Sequence, residues 1–240
     1  VNWIIKDYNL EDEKQWVIKI IQLYETSLVR HGFMVCGSAG SGKTTIMEVL
    51  TKSLTMLADE GSPLGNMHRL TRMNPKAITT PQLYGIINQM SGEWVPGVFS
   101  EIWKKSNAKS NKHITWIVCD GPVDAIWIEN MNTVLDDNKK LCLMNGEMVI
   151  MSSTMSMIFE PINLDVASPA TVSRVGVIYM EPFRMGWRPC LASWLDKYTR
   201  VPKQDVTDNS IASSCAEGGN DANSGRAPKT TENRAVESDI

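Results

Sequence analysis

No stretch of this 240-residue chain reaches the roughly 20 consecutive apolar residues that span a bilayer. The formal charge of −3 is too mild an imbalance to recruit nucleic acid or an anionic membrane surface, and neither is expected as a partner. The chain opens at Val1 without the basic and apolar regions of a secretion signal. No signal peptide is therefore expected, and the start reads as interior to a longer sequence. CxxC pairs are absent. The five cysteines, Cys36, Cys119, Cys142, Cys190 and Cys215, are scattered, and the first three fall in apolar runs that read as strands. Reduced core thiols in a cytosolic compartment are expected, not disulfides or a metal site. His31, His68 and His113 share no ligand-like spacing.

Bulky side chains are missing from the C-terminal end. All eight tryptophans and every Phe, Tyr, Leu and Met precede Pro202. Residues 203–240 carry four basic groups against seven acidic ones, which accounts for the whole charge imbalance. Such a segment buries too little surface to offset its ordering entropy, so residues 202–240 are expected to be a disordered polar tail. The rest divides into a helical lead-in, residues 1–31, and one domain, residues 32–201. Within it, apolar patterning predicts helices over 11–30, 44–57, 125–134 and 187–198. Strands are expected at 33–36, 70–73, 114–119, 155–159 and 175–180, with a hairpin around Asn145-Gly146. This alternation predicts an α/β fold, a mostly parallel sheet with helices on both faces.

Gly37-Ser38-Ala39-Gly40-Ser41-Gly42-Lys43-Thr44 fits G-x-x-x-x-G-K-[ST] at every fixed position, between a predicted strand and a predicted helix. The glycines permit unusual dihedrals and close approach of the backbone to phosphates. Successive N–H groups and the helix N-terminus favour an anion. Lys43 is expected to reach the β- and γ-phosphates, and Thr44 to ligate Mg²⁺ through its hydroxyl. With Thr45, these residues are the expected nucleotide cradle of a P-loop NTPase, and ATP and Mg²⁺ the expected cofactors. A second element, Ile114 to Cys119 followed by Asp120, is a buried strand ending in an aspartate. That is the Walker B arrangement, which puts the carboxylate beside Mg²⁺ at the strand's C-terminal edge. AAA+ ATPases usually place a Glu next, to polarise the attacking water. Here that position is Gly121, so binding of ATP with little or no hydrolysis is expected.

Residues Cys119 to Lys140, which read CDGPVDAIWIENMNTVLDDNKK, resemble the second AAA+ module of dynein heavy chains, particularly the axonemal ones. So do Ile21 to Glu25, Val29 to Gly32, Asn74 to Thr79, Leu83 to Gly85 and Val166 to Arg174, and the resemblance covers about residues 10–200. It implies the large subdomain of an AAA+ module whose nucleotide is mainly structural. It implies that Arg174 is an arginine finger offered in trans to the preceding module, where such a group offsets charge on the transferred phosphoryl group. Glu160, after the strand 155–159, lies near where AAA+ proteins keep a polar sensor residue. The partners implied are neighbouring AAA+ modules. Dynein intermediate and light chains and microtubules are implied only through the full-length complex, in the cytoskeleton of a cilium or flagellum. A small helical lid is expected after Tyr198 in such a module, and residues 202–240 do not read as one. Two other readings are a free-standing P-loop ATPase or kinase, for which no arginine-rich lid is visible, and an inert truncated fragment.

Overall fold

The computed structural model describes residues 1–181 and 186–199, except the side chains of residues 125 and 126. The expected tail at 202–240 lies outside the described residues. Five parallel strands form the central sheet. These are β1 (Gly32–Cys36), β2 (His68–Met73), β5 (Ile114–Cys119), β8 (Met155–Phe159) and β9 (Gly176–Tyr179), in the order β2-β5-β8-β1-β9. Registers such as Phe33↔Ile158, Phe33↔Gly176 and Thr115↔Met155 align their C-terminal ends along one edge. Every residue of β1 and β8 is buried, as is β5 after its first residue. Continuous apolar runs of this kind are what a parallel sheet covered on both faces requires.

The two-residue period of the strands sorts their side chains into two cores. Phe33 and Val35 of β1, Trp116 and Val118 of β5 and Ile158 of β8 face α1 (Asn2–Asp7), α2 (Lys14–Val29) and α3 (Lys43–Asp59). Ile4, Ile5, Trp16, Ile20 and Leu23 fill that side, so the lead-in is built into the core of the sheet. Met34, Cys36, Ile117, Cys119, Met157 and Phe159 face the opposite way. They meet α4 (Thr80–Tyr84), α5 (Val98–Ser106), α6 (Ala125–Glu129) and α7 (Asn132–Leu135) through Leu83, Tyr84, Phe99, Trp103, Trp127 and Leu135. Two tryptophans are buried in different layers, Trp116 under α3 and Trp127 on the far face. Two hairpins, β3 (Gly85–Ile87) with β4 (Trp94–Pro96) and β6 (Lys140–Cys142) with β7 (Met148–Ile150), lie outside the main sheet.

Three expectations change. The helix predicted over 125–134 is two helices, α6 and α7. The N–H of Met131 donates to the carbonyl of Ile128 in a tighter turn between them. Asn130 and Asn132 are weak helix formers, and the Asn132 side chain is drawn off to accept from the Thr171 hydroxyl. Cys142 is exposed, not a core thiol, because β6 belongs to a hairpin that buries only one face: Leu141 points in and Cys142 out. Cys190, on the last helix, α9 (Arg188–Thr199), is exposed too. Among the described residues no helix is long and apolar enough to cross a membrane. The rings of Phe33 and Trp116 meet edge to face at 5.5 Å under α3. Trp116→Ala is expected to cost about 3–5 kcal/mol in urea unfolding of the chain. Met90→Ala, at a side chain 99% exposed, is expected to stay within about 0.5 kcal/mol.

Candidate functional site

β1 ends at Cys36, and the chain turns through residues 37–42 into α3, as the sequence pattern predicts. The turn depends on glycine, most plainly at Gly37 and Gly42. Gly37 has φ 156°, and a Cβ there would stand 2.7 Å from the Met180 carbonyl oxygen. Gly42, the residue before the first turn of α3, has φ 80° in the left-handed region. No side chain caps α3, so its first N–H groups face the cleft. The Ser41 hydroxyl donates to the Ser38 carbonyl at 2.8 Å and closes the loop on itself. The Lys43 ammonium, 9% exposed, donates to the carbonyls of Gly37 at 2.7 Å and Ser38 at 2.9 Å, which hold it beneath the loop. Cys36 sits alongside. Burial pushes its thiol up to about 11 against a smaller opposing effect from Lys43, so it is inert.

The neighbouring strands deliver the carboxylates. Asp120 follows β5, and its N–H is held by the Met73 carbonyl at 2.8 Å. Glu160 follows β8, and its N–H donates to the Cys119 carbonyl at 3.0 Å. Glu160 is 5% exposed, and its Oε1 accepts from the Thr44 hydroxyl at 2.5 Å. Its Oε2 is buried with no hydrogen-bond partner. Burial raises the Glu160 carboxyl above the usual range. The Thr44 hydrogen bond opposes this, nearby Asp120 adds to it, and Arg72 and Lys43 counter it. Glu160 thus lines the cleft beside the loop.

The cleft, about 360 Å³, is bounded by Gly40–Thr45, Glu160, the lead-in at Leu10, Glu11 and Trp16, and Cys190 and Ser193 of α9. The Glu11 N–H donates to the Ser193 hydroxyl at 3.1 Å, tying both walls together. Its size suits a small ligand. Thr44, Asp120 and Glu160 offer hard oxygen donors of the kind Mg²⁺ takes, and the unpartnered Glu160 Oε2 fits such a role. Among the described residues no group of three or more His, Cys, Asp or Glu side chains is placed to hold a metal. The residues therefore fit an ion that takes much of its coordination from phosphate and water.

Gly121 lies against Asn74, whose Oδ1 would be 2.8 Å from a Cβ at that position. That Oδ1 accepts from the Lys76 N–H at 2.9 Å, capping the short turn Pro75–Ala77. Asp124, the next acidic group along the chain, is paired with the Lys76 ammonium at 2.9 Å. Glu129 is exposed at the end of α6. Arg174 ends α8 (Pro169–Arg174), just before β9. Because Gly176 pairs with Phe33 and Tyr179 with Cys36 in parallel register, Arg174 stands at the opposite edge of the sheet from the loop. That separation is roughly four strand residues, about 13 Å. There it pairs with Asp136 and donates to the Ala170 carbonyl at 2.8 Å.

The sequence assigns no site role to Arg72 or to Asn74, the latter appearing only within the stretch 74–79 that resembles the family. Arg72, next to last in β2, has Nη1 at 3.9 Å from both Asp120 Oδ2 and Glu160 Oε2. A lone arginine near a strand end carries no motif, and only the sheet order brings it to the site. Asn74 was legible as the asparagine of an Asn-Pro turn, but its contact with Gly121 was not.

Over residues 32–175 the chain matches the family described as AAA domain (dynein-related subfamily), and over residues 1–44 the family described as Hydrolytic ATP binding site of dynein motor region. It is 51% identical over 194 residues to the Dynein gamma chain, flagellar outer arm, of Chlamydomonas reinhardtii, which covers 81% of this chain and 4% of that protein. With Dynein axonemal heavy chain 3 of Homo sapiens it shares 48% over 218 residues, 85% of this chain and 5% of the relative. With Dynein axonemal heavy chain 8 of Homo sapiens the figures are 49% over 185 residues, 77% and 4%. It thus spans a small fraction of the length of these relatives. With a parallel sheet, a phosphate loop between β1 and α3, and a family match across more than half its length, the chain belongs to the dynein-related AAA family and is homologous to axonemal dynein heavy chains.

Proposed function

We propose that this chain is an ATP-binding module of the second-module type in a dynein heavy-chain ring, one that holds its nucleotide with little or no hydrolysis. The observation that carries this reading is a complete phosphate loop beside a position where a base is missing: Lys43, Thr44, Asp120 and Glu160 converge, while Gly121 has no side chain and packs on Asn74. The loop N–H groups and the start of α3 would hold phosphates. Lys43 would turn from the carbonyls of Gly37 and Ser38 to the β- and γ-phosphates. Thr44, Asp120 and Glu160 would hold Mg²⁺, which supplies charge neutralisation at the phosphate oxygens. With no carboxylate after Asp120 to orient water, the bound triphosphate stays intact.

Arg174 is proposed as the finger for the preceding module. Its place across the sheet from this chain's own loop suits action on a neighbour and not on its own nucleotide. The pairing with Asp136 would be exchanged for the neighbour's phosphates. Microtubule-based movement in an axoneme, and contact with intermediate and light chains, belong to the assembled protein of which this module is one part.

Calorimetry of Mg-ATP binding to the full chain tests the first claim. Binding is expected for the wild type and is expected to be lost in Lys43→Ala. Steady-state phosphate release is expected to stay at background, and sustained turnover that Lys43→Ala abolishes would overturn the structural-nucleotide reading. Gly121→Glu is expected to displace Asn74 from its cap and to lower stability by about 1 kcal/mol in urea unfolding. In a chain joined to its preceding module, Arg174→Ala is expected to slow that module's hydrolysis by about 10³-fold or more. Nucleotide binding at the Lys43 site should change less than twofold, and a larger loss there would place Arg174 in the local fold and not at the neighbour.

A further inference from the structure

Arg72 projects from the edge strand β2 across the C-terminal end of β5, the adjacent strand, toward the end of β8. Its guanidinium stands among three carboxylates from three different elements. Nη1 is 3.9 Å from Asp120 Oδ2 and 3.9 Å from Glu160 Oε2, and Nη2 is 4.0 Å from Glu48 Oε1 on α3. None of the three is close enough to be a hydrogen bond. The arginine is placed by charge and shape, and its donors are not committed to any one carboxylate. Its side chain is 30% exposed, while the Glu160 side chain is 4% exposed. An arginine keeps its charge at every accessible pH.

Two carboxylates beside a phosphate loop repel the triphosphate the loop attracts. Phosphate sites commonly offset this with a divalent cation. Here part of the offset is covalently built in. We propose that Arg72 is a nucleotide-site residue that acts as a resident counter-cation to Asp120 and Glu160, so that ATP binding by this chain depends only weakly on Mg²⁺. At the 4 Å scale of these contacts a unit charge in a partly exposed site is strong enough to shift affinity by an order of magnitude. This inference rests on the nucleotide-binding reading above. It differs from a structural role for Arg72, the pinning of an edge strand, because a pinning residue would affect binding equally with and without the divalent ion.

The test is ATP binding to the full 240-residue chain, by calorimetry, in excess Mg²⁺ and in EDTA. The wild type is expected to weaken by less than roughly tenfold when Mg²⁺ is removed. Arg72→Gln is expected to bind within about threefold of wild type in Mg²⁺ and to lose roughly tenfold or more in EDTA. Arg72→Lys, which keeps the charge, should retain most EDTA binding, and Arg72→Gln with Asp120→Asn should recover it. Equal losses in both buffers, or no loss in either, would overturn the counter-cation role while leaving nucleotide binding intact. If Arg72→Gln does not fold, Asp120→Asn alone decides: with Arg72 in place it should bind ATP in EDTA at least as tightly as wild type, and weaker binding overturns the proposal. Absence of ATP binding by folded wild type in either buffer would overturn the nucleotide reading and this inference with it.

Discussion

Strand β1 lies between β8 and β9 with five apolar or glycine residues and no exposed side chain. A strand buried on both faces cannot leave its backbone groups unpaired, because an orphaned N–H or C=O away from water costs about as much as a lost hydrogen bond. The parallel ladders to both neighbours meet that demand and set the register of the whole sheet. They also decide where β1 stops. Its last residue, Cys36, accepts from the Met180 N–H at 2.7 Å, and the next N–H, of Gly37, reaches the Pro161 carbonyl at 3.3 Å. The phosphate loop is held from both sides by the strands' continuations, and the first turn of α3 is aimed over the sheet edge.

The same ladder sorts charge. Every strand of the sheet runs the same way, so Asp120 and Glu160, each following the last residue of its strand, arrive at one edge with the loop, and Arg72 reaches it from the penultimate position of β2. Arg174 precedes β9 and arrives at the other edge. Arg72, beside Asp120 and Glu160, and Arg174, paired with Asp136, are separated by the length of the strands. Burial then amplifies the local effects. Glu160 is pulled out of water between Thr44 and Arg72, and its carboxyl is raised chiefly by that desolvation.

Much of this was legible from residue types. The Gly37–Thr44 pattern needs particular residues for particular backbone angles, and Gly37 and Gly42 adopt them. The apolar runs at 33–36, 114–119 and 155–159 appear as the three central strands. The Asn145-Gly146 hairpin forms as expected, with Gly146 at φ 82°. The segment from Thr80 to Ser106, which holds α4, β3, β4 and α5, carries no periodic pattern that predicts them. Its elements are short, and only the capping box of Thr79 with Gln82 marks the start of α4. Helix 125–134 broke where the Asn132 side chain found a tertiary partner, Thr171, that periodicity does not record. Cys142 turned outward because a two-stranded hairpin buries one face while an apolar run implies two.

The sequence by itself determined the chemistry available: a phosphate loop, a strand-end aspartate, and no side chain at Gly121, because each depends on residue types in fixed spacing along one chain. Only the tertiary structure decided what those groups meet. Arg72, Asp120 and Glu160 are 48 and 40 residues apart in succession, and no local rule links them. They come together because β2, β5 and β8 are neighbours in the sheet. That order is set by which apolar faces pack, not by the residues at the strand ends.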